Sequence, residues 1–519
     1  MGIAAGGSVA LGCAVSESDV HRWETTENGP EKLYAIVTHE KYSWPLREEA
    51  ALSLVRMKPR SGRRVGLEYL VLGYDNSLGK VQGALSAVAE DARRRMLSDF
   101  TPKLVAGIAQ APPQKAAEGA TAQPDASIPY KDAAFAILSH DPPLAADEKT
   151  KGDLTAALTQ WVQTDFEDRI DNTSQQFGVE QIMRFLQAPS VKQLPSLINL
   201  ESTKTDKVVQ LVSEIGDDET KKRASDALVA LAKQIDSPSW IAKQRALIDQ
   251  RNALDKVTPK EDQIKQQLTN YQEQELEKVF VEMKKLGGRP VIDYCLGFAK
   301  SKDKSEKMRT DALAALENRI DKNNPTDVST IFDIVRDDAE KSDKVRAVAL
   351  ARLGELPKDM IVPKLYALFD RKWQIRNDAA QLLLKTITTK DVPDFLKHLP
   401  ENAKSKLGLS EPIGYGTLIM RMDPQGGPKP RDVLNQFLQS SNLGAKLTAI
   451  GSWYTAKKGD VGNTLAALQD DKTPVPKCDP ADECGWSCDV PKAGSQDKES
   501  KPVTTVGEFV KFCVEPSLQ

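Results

Sequence analysis

Residues 345–353 read Val-Arg-Ala-Val-Ala-Leu-Ala-Arg-Leu, and the spacing within this stretch decides the fold. Val345, Ala349 and Leu353 follow one another at intervals of four residues, so they form one stripe along an α-helix. The small alanine in the middle of the stripe lets a neighbouring helix approach closely. Arg346 follows the first apolar residue of the stripe. The pattern therefore predicts an amphipathic helix that packs against a second helix.

The same spacing recurs at three other places in the chain. The further copies are Leu46-Arg47-x-x-Ala50-x-x-x-Leu54, Met308-Arg309-x-x-Ala312-x-x-x-Leu316 and Ile375-Arg376-x-x-Ala379-x-x-x-Leu383. A second amphipathic segment precedes two of the four copies, at residues 328–335 and 361–369. The arginine intervals of 37 residues (309 to 346) and 30 residues (346 to 376) fit a repeat of two helices. Such pairs bury their apolar stripes against neighbouring pairs, so we expect an all-α body of stacked antiparallel helix pairs.

Two of these copies resemble HEAT repeats of the bacterial type, on the segments Asp343-x-Val345-Arg346 and Asp370 through Ile375-Arg376. The resemblance covers residues 290–400 and implies an irregular HEAT-like α-solenoid. In such stacks the arginine pairs with an acidic residue of an adjacent turn. The resemblance thus implies a structural, solvated ladder formed by Arg47, Arg309, Arg346, Arg376, Asp343 and Asp370. The alternative is that the repeated arginines line a groove for an acidic partner.

Composition and helix signals divide the 519 residues into seven segments. The predicted segments are a signal remnant and tether at 1–20, an N-terminal helical repeat unit at 21–107, a flexible linker at 108–129, helical repeats at 130–239, a long helical hairpin at 240–288, HEAT-like repeats at 289–469 and a Cys-rich tail with a closing helix at 470–519. The linker has few residues that could form a core. We expect the tail to cap the helical array.

The hairpin at 240–288 is predicted from two helix patterns. Trp240, Leu247 and Leu254 recur every seven residues, which is typical of a coiled-coil-like seam. Residues 258–261, Thr-Pro-Lys-Glu, supply the start of a second helix, and the glycines at 287–288 end it. The hairpin either projects as a partner-binding arm or folds back as an oversized repeat.

Cysteines in the tail and in mid-chain carry different predictions, which depend on where they lie in the chain. Cys478, Cys484, Cys488 and Cys513 cluster in the polar tail and predict two disulfides, which persist outside a reducing cytosol. Their pairing stays open. A zinc site is the alternative, because Cys484 and Cys488 have the spacing of a zinc ligand pair. Cys295 lies in an apolar helical stretch and is interpreted as an inert buried thiol.

Cys13 ends an uncharged apolar run that is too short to span a bilayer. Residues 10–13, Ala-Leu-Gly-Cys, resemble the lipobox at the end of a bacterial lipoprotein signal peptide. The resemblance implies that Cys13 is lipid-modified and becomes the mature N-terminus, and Ala14 after it implies sorting to the outer membrane. Elsewhere no run reaches 18 apolar residues, so we expect membrane attachment through this lipid alone. A cytosolic N-terminus with a chance cysteine is the alternative.

Charge and motif content argue against two classes of function. Lys and Arg number 71 against 74 Asp and Glu, and this balance provides no overall field for a nucleic-acid backbone. His21, His39, His140 and His398 show no metal-ligand spacing, and no phosphate loop or nucleophile elbow is present. We therefore predict no catalytic, cofactor-binding or metal-binding residue and no nucleic-acid partner.

These observations favour one function over two alternatives. The leading hypothesis is a non-catalytic, lipid-anchored scaffold of the outer membrane, on its periplasmic face or at the cell surface, that binds a protein partner through a HEAT-like helical surface. One alternative is an envelope enzyme with a site in the loops around residues 400–430. The other is a cytosolic HEAT-like docking protein.

Overall fold

A computed structural model describes residues 15–77, 79–110, 124–173, 175–401, 407–454, 456–461, 463–475, 486–491 and 498–518. Within these ranges the chain is mainly α-helical and has two short β-hairpins, which confirms the predicted all-α class. The chain divides into two compact units, residues 1–231 and 232–519.

The first unit is built from helices and one β-hairpin. Its helices are α1 (Glu17–Trp23), α2 (Gly29–Thr38), α3 (Trp44–Arg56), α4 (Val65–Leu67), α5 (Ala84–Ala87), α6 (Glu90–Ile108), α7 (Ile128–Ser139), α8 (Glu148–Gln163), α9 (Phe166–Ile170), α10 (Val179–Leu186), α11 (Thr205–Ile215) and the first part of α12 (Asp218–Ile235). The strands β1 (Tyr74–Asn76) and β2 (Gly79–Val81) are antiparallel. Helix α2 packs against α3, and α6 packs against both α7 and α8.

Part of the linker that the sequence predicted at 108–129 belongs to the folded core of the first unit. Residues 111–123 lie outside the described ranges, but Asp125, Ser127 and Ile128 are buried. Gly107 lets α6 pack closely against Tyr130 of α7, because a Cβ at residue 107 would lie 2.2 Å from the Tyr130 ring. Residues on both sides of the predicted linker therefore belong to the core of one unit.

The second unit carries the helix pairs. Its helices are α13 (Pro238–Leu254), α14 (Glu261–Leu286), α15 (Arg289–Lys300), α16 (Glu306–Ala315), α17 (Pro325–Arg336), α18 (Asp343–Leu353), α19 (Lys358–Tyr366), α20 (Trp373–Thr386), α21 (Val392–His398), α22 (Ser410–Met420), α23 (Pro430–Asn435), α24 (Leu443–Gly451), α25 (Lys458–Val461) and α26 (Val506–Phe509). Several begin at a side-chain cap: Ser305, Ser342 and Asn442 each accept a hydrogen bond from a backbone amide of the first turn.

Alternate helices from α14 to α24 stack on one another. Helices α14, α16, α18, α20, α22 and α24 follow one another in contact, while α15, α17 and α19 pack against α16, α18 and α20. The three apolar positions of all four motif copies are buried. Gly416 allows α22 to approach α24 closely, because a Cβ there would lie 2.6 Å from the Ser452 nitrogen. The apolar stripes are therefore covered by neighbouring pairs, which confirms the predicted HEAT-like stack.

The tail folds onto the end of the second unit. Strands β3 (Ser487–Pro491) and β4 (Lys498–Pro502) form an antiparallel hairpin, and a disulfide joins Cys488 to Cys513. The segment that follows α26 packs against α24. This confirms a disulfide-bonded tail with a closing helix. The bond also makes Cys488 unavailable for the alternative zinc pair with Cys484, which lies outside the described residues together with Cys478.

Candidate functional site

Four arginines, Arg47, Arg309, Arg346 and Arg376, occupy one position in the fold, and we call them the arginine ladder. Each is the fourth residue of its helix, in α3, α16, α18 and α20 respectively. Their exposed fractions lie between 4% and 6%. The four arginines are therefore buried, not solvated as the sequence predicted, whereas Asp343, which pairs with Arg346 as expected, is exposed. Buried side chains at one position of separate helices do not form the common groove for an acidic partner that the alternative requires.

Two members of the arginine ladder share one geometry. The Nε of Arg47 donates to the carbonyl of Val37 at 3.0 Å, and the Nε of Arg309 donates to the carbonyl of Ala299 at 2.8 Å. In both cases the acceptor lies ten residues earlier, in the last turn of the preceding helix. Carbonyls at a helix C-terminus lack partners within their own helix. Each of these arginines therefore caps one helix of a pair from the other.

Glu340 connects successive helix pairs. Its carboxylate accepts hydrogen bonds from both terminal nitrogens of Arg309 and from the backbone amide of Ser342. Burial raises the pKa of Glu340, but these hydrogen bonds and the charge of Arg309 outweigh it and lower the pKa overall. Arg346 donates to the Glu340 carbonyl at 2.9 Å and to Asp343 at 2.8 Å. Because Glu340 precedes α18, it links α16 to the next pair.

Arg376 finds a different partner from the one that the sequence predicted. Its Nε and one terminal nitrogen donate to Glu411 of α22, at 3.2 and 3.3 Å. Asp370 is exposed, and no bond to Arg376 is seen within the described part of the chain. The Tyr415 hydroxyl donates to the same Glu411 carboxylate at 2.9 Å. Burial, and then the Glu411 charge, raise the pKa of Tyr415, so its phenol stays protonated as a donor.

A cavity of about 420 Å³, including its open mouth, lies beside this cluster. Arg376, Glu411 and Tyr415 line it, together with Trp486 and the buried Thr448, whose Oγ1 has no hydrogen-bond partner among the described residues. The cavity borders the 400–430 region in which the enzyme alternative places its site. However, residues 410–420 form α22 and are not a loop. The two buried charged groups that line the cavity bond to each other, so this arrangement offers no unengaged acid–base pair.

The first unit contains a buried ionic network that the sequence analysis missed. Asp132 is fully buried, and its carboxylate lies 2.7 Å from the Arg64 Nε and 2.6 Å from the Lys131 Nζ. The same carboxylate accepts hydrogen bonds from the backbone amides of Gln176 and Phe177, at 3.0 and 3.2 Å. Asp132 therefore ties α7 to the segments before α4 and α10. One signal was available, because Lys131 and Asp132 are the charged residues of a helix whose other residues are mostly apolar.

Asp125 and Arg169 extend the network around an indole ring. The Arg169 Nε donates to Asp125 at 3.2 Å, and the Ser127 amide donates to the other carboxylate oxygen at 2.9 Å. The Trp161 Nε1 donates to the Ser127 hydroxyl at 2.7 Å. The Lys131 ammonium and the Arg169 guanidinium lie 4.9 and 4.4 Å from the Trp161 ring centre. The network thus holds three cations and two carboxylates out of water.

Lys131 makes the stability of the first unit depend on pH. Burial is the main cause that lowers its pKa from 10.5 to about 8, although Asp132 opposes the shift. Between these values the unfolded chain binds more protons than the folded one. The free energy of unfolding should therefore rise with pH above 8, by up to about 1.4 kcal/mol per pH unit. Below pH 8 both states are protonated and the burial cost is fully present.

Hydrogen exchange of α7 amides, corrected for the intrinsic rate at each pH from about 7 to about 9.5, measures this dependence. The Lys131→Met variant removes the titrating group and should lose the rise. Arg64, Arg169, Asp125 and Asp132 are the other charged groups of this network. An equal slope in both proteins would contradict the assignment.

The remaining candidate side chains form no common site. His21 lies 3.5 Å from Glu24, His140 lies 3.4 Å from the Ser86 hydroxyl, and His398 stacks on Tyr366. Across the described ranges no three His, Cys, Asp or Glu side chains are grouped as metal ligands.

Two further sequence predictions concern buried and membrane-associated groups. Cys295 is buried, and burial raises the pKa of its thiol to about 12. None of the helices in the described part of the chain is both long and apolar enough to cross a membrane. Cys13, the predicted lipid anchor, lies outside the described residues.

Comparisons with known proteins give structural neighbours but no sequence relatives. No family model matches the chain, and no curated protein matches it. Similar solved structures include Kap121p, at 13% identity and a TM-score of 0.32 over 85% of this chain and 40% of that one. The karyopherin Kap121p bound to the extreme C-terminus of the protein phosphatase Cdc14p matches at 15% identity and a TM-score of 0.30, over 86% of this chain and 44% of that one. A structure of Kap95p with RanGDP matches at 12% identity and a TM-score of 0.26, over 88% of this chain and 63% of that one. The chain thus spans less than two thirds of each.

Proposed function

We propose that the protein is a non-catalytic scaffold of the cell envelope, anchored by a lipid at Cys13, that binds a protein partner through its helical surface. The observation that carries this proposal is the HEAT-like stack of helix pairs in the second unit. Stacked helix pairs present extended surfaces, which suit a protein partner better than a small reactant.

The state of the buried charges supports the non-catalytic part of the proposal. Arg309 pairs with Glu340, Arg376 pairs with Glu411, and the protonated Tyr415 donates to the same Glu411. These groups hold neighbouring helices together, so they are engaged in structure. A catalytic acid, base or nucleophile needs a reactive group that can reach a substrate.

The disulfide between Cys488 and Cys513 supports an address outside a reducing cytosol. It disfavours the cytosolic docking alternative, in which the tail thiols would remain reduced. The lipobox-like residues before Cys13 supply the second argument, and together the two features favour an outer-membrane lipoprotein. Two disulfides are predicted among the four tail cysteines, and the Cys488–Cys513 bond is one of them.

Intact mass spectrometry of the native protein, before and after reduction, tests this address. We expect a chain that begins at Cys13 and carries a diacylglyceryl mass. Reduction should add two hydrogens for the Cys488–Cys513 bond and two more for the second bridge. A full-length, unmodified chain whose mass does not change on reduction would refute the envelope proposal.

Cross-linking in intact cells tests the binding part separately. Amine-reactive cross-links that join exposed helical lysines of the second unit to one recurrent protein would support the scaffold. A folded protein that forms only internal cross-links in its native compartment would contradict it.

A further inference from the structure

Helix α13 is hardly covered by the rest of its unit. Trp240 is its one buried residue, and its ring stacks on Tyr271 of α14 with the ring centres 5.4 Å apart. One turn further, Arg245 holds Glu261 of α14 through two hydrogen bonds of 2.7 and 2.8 Å. Leu247 and Leu254 remain 51% and 77% exposed. A helix in water owes most of its stability to the packing of its apolar face, and beyond Trp240 this face stays exposed in the described part of the chain.

The exposed leucines continue the seam that the sequence predicted. Trp240, Leu247 and Leu254 share one heptad position, but α14 covers the first of them alone. The second half of α14 packs against α16, and Leu276, Phe280 and Met283 of that half are buried. Contacts from Trp240 and Arg245 thus hold α13 to α14, and the space beside the exposed Leu247 stays open.

The open part is a groove between the two helices, which we call the hairpin groove. Its space is about 1,440 Å³, including open solvent. One wall is α13, with Leu247, Ile248 and Arg251. The other wall is α14, whose lining side chains are mostly uncharged amides: Gln263, Gln266, Gln267, Asn270 and Gln274. Such a surface combines an apolar strip with groups that both donate and accept hydrogen bonds.

Arg251 gives the hairpin groove its charge. It is the charged member of the described lining residues. Beside the groove, Arg245 pairs with Asp249 and Glu261, whereas Arg251 forms no ion pair with a carboxylate among the residues that the structure describes. A complementary ligand therefore brings its own negative charge next to an apolar face. A second copy of the hairpin would bring another Arg251 and the same neutral amides, so its charge does not match.

We propose that the hairpin groove binds one amphipathic helix of a partner protein, an inference that rests on the proposed scaffold function. Apolar residues of that helix at i, i+4 and i+7 lie against Leu247 and Ile248. A carboxylate beside them faces Arg251. The bound helix covers the leucine that α14 leaves exposed, and it completes a three-helix packing around the tip of the hairpin.

Binding of two labelled peptides to the purified full chain, followed by fluorescence anisotropy, tests the proposal. Both peptides are hydrocarbon-stapled helices with the same leucine pattern, and they carry glutamate or lysine at the flanking positions. We expect the glutamate peptide to bind about tenfold more tightly than the lysine peptide. Leu247→Ala should weaken both peptides about tenfold, because it removes the apolar contact.

Arg251→Glu is the decisive variant. It should reverse the preference between the two peptides, while the matched control Val281→Ala, an exposed position of α14 outside the groove, should change neither affinity. Equal binding of the two peptides, or no reversal with Arg251→Glu, would overturn the proposal. So would sedimentation of the full chain as a dimer that Leu247→Ala dissociates, since a second copy would then fill the groove. Failure here would leave the scaffold proposal to its own test in cells.

Discussion

Asp132→Asn should destabilise the first unit by about 3–5 kcal/mol, because it leaves Arg64 and Lys131 buried without their shared counter-ion. Asparagine keeps the shape of the side chain, so the loss reports on charge and not on a cavity. The measurement is hydrogen exchange of α7 amides, since a chain of two units need not unfold in one step. Protection factors should fall by a factor of about a hundred or more.

A matched exposed pair provides the control. Glu90 and Arg94 lie four residues apart on α6, at 2.9 Å, and both side chains are largely exposed. Glu90→Gln should change stability by less than about 0.5 kcal/mol, because exposed pairs of this kind contribute little. If Asp132→Asn were equally mild, the network would be solvated in solution and its assignment as a buried ionic core would be wrong.

Arg309→Met should destabilise the HEAT-like stack by about 3–5 kcal/mol. The substitution leaves the buried Glu340 without its cation and uncaps the Ala299 carbonyl at the end of α15. Hydrogen exchange should show the loss at α16 and at the start of α18. The effect should spread over both helices, because Glu340 links them.

The double variant Arg309→Met/Glu340→Gln separates the two causes. Removing the stranded carboxylate should recover part of the stability, whereas the lost Ala299 cap remains. Strictly additive losses from Arg309→Met and Glu340→Gln would show that the two side chains do not interact.

The helices of the arginine ladder were predictable because their signal is local. An apolar residue every four positions and an arginine after the first are enough to place α16, α18 and α20. Asp343 was also within reach, since it lies three residues before Arg346 on the same helix. Spacing along the chain did not reveal whether the side chains of the arginine ladder are exposed or buried. Burial depends on how close the next helix comes.

Partners from other helices could not be predicted in this way. Glu411 lies 35 residues after Arg376 and reaches it because α20 and α22 stack. Lys131 and Asp132 are adjacent in sequence and look like solvated surface residues. They are buried because Arg64 and the backbone of Gln176 close over them, and those residues are distant in sequence.

The helical hairpin was predicted from its sequence pattern, which left open whether it projects or folds back. The heptad of Trp240, Leu247 and Leu254 is a genuine seam, and caps at Ser237 and Gly287 bound its two helices. A heptad of apolar residues predicts that a helix face packs against another helix, but it does not predict how much of the face becomes buried. Here α14 covers Trp240 and leaves Leu247 and Leu254 51% and 77% exposed.

The bond between Arg309 and Glu340 bears on how such an array evolves. The donor, Arg309, belongs to one helix pair and the acceptor, Glu340, belongs to the next, so each pair supplies one of the two opposite charges. A gene duplication or deletion that inserts or removes one pair would strand an arginine or an acid in a dry interior. Neighbouring repeats should therefore change together over generations, and wholesale shuffling of single repeats should be selected against.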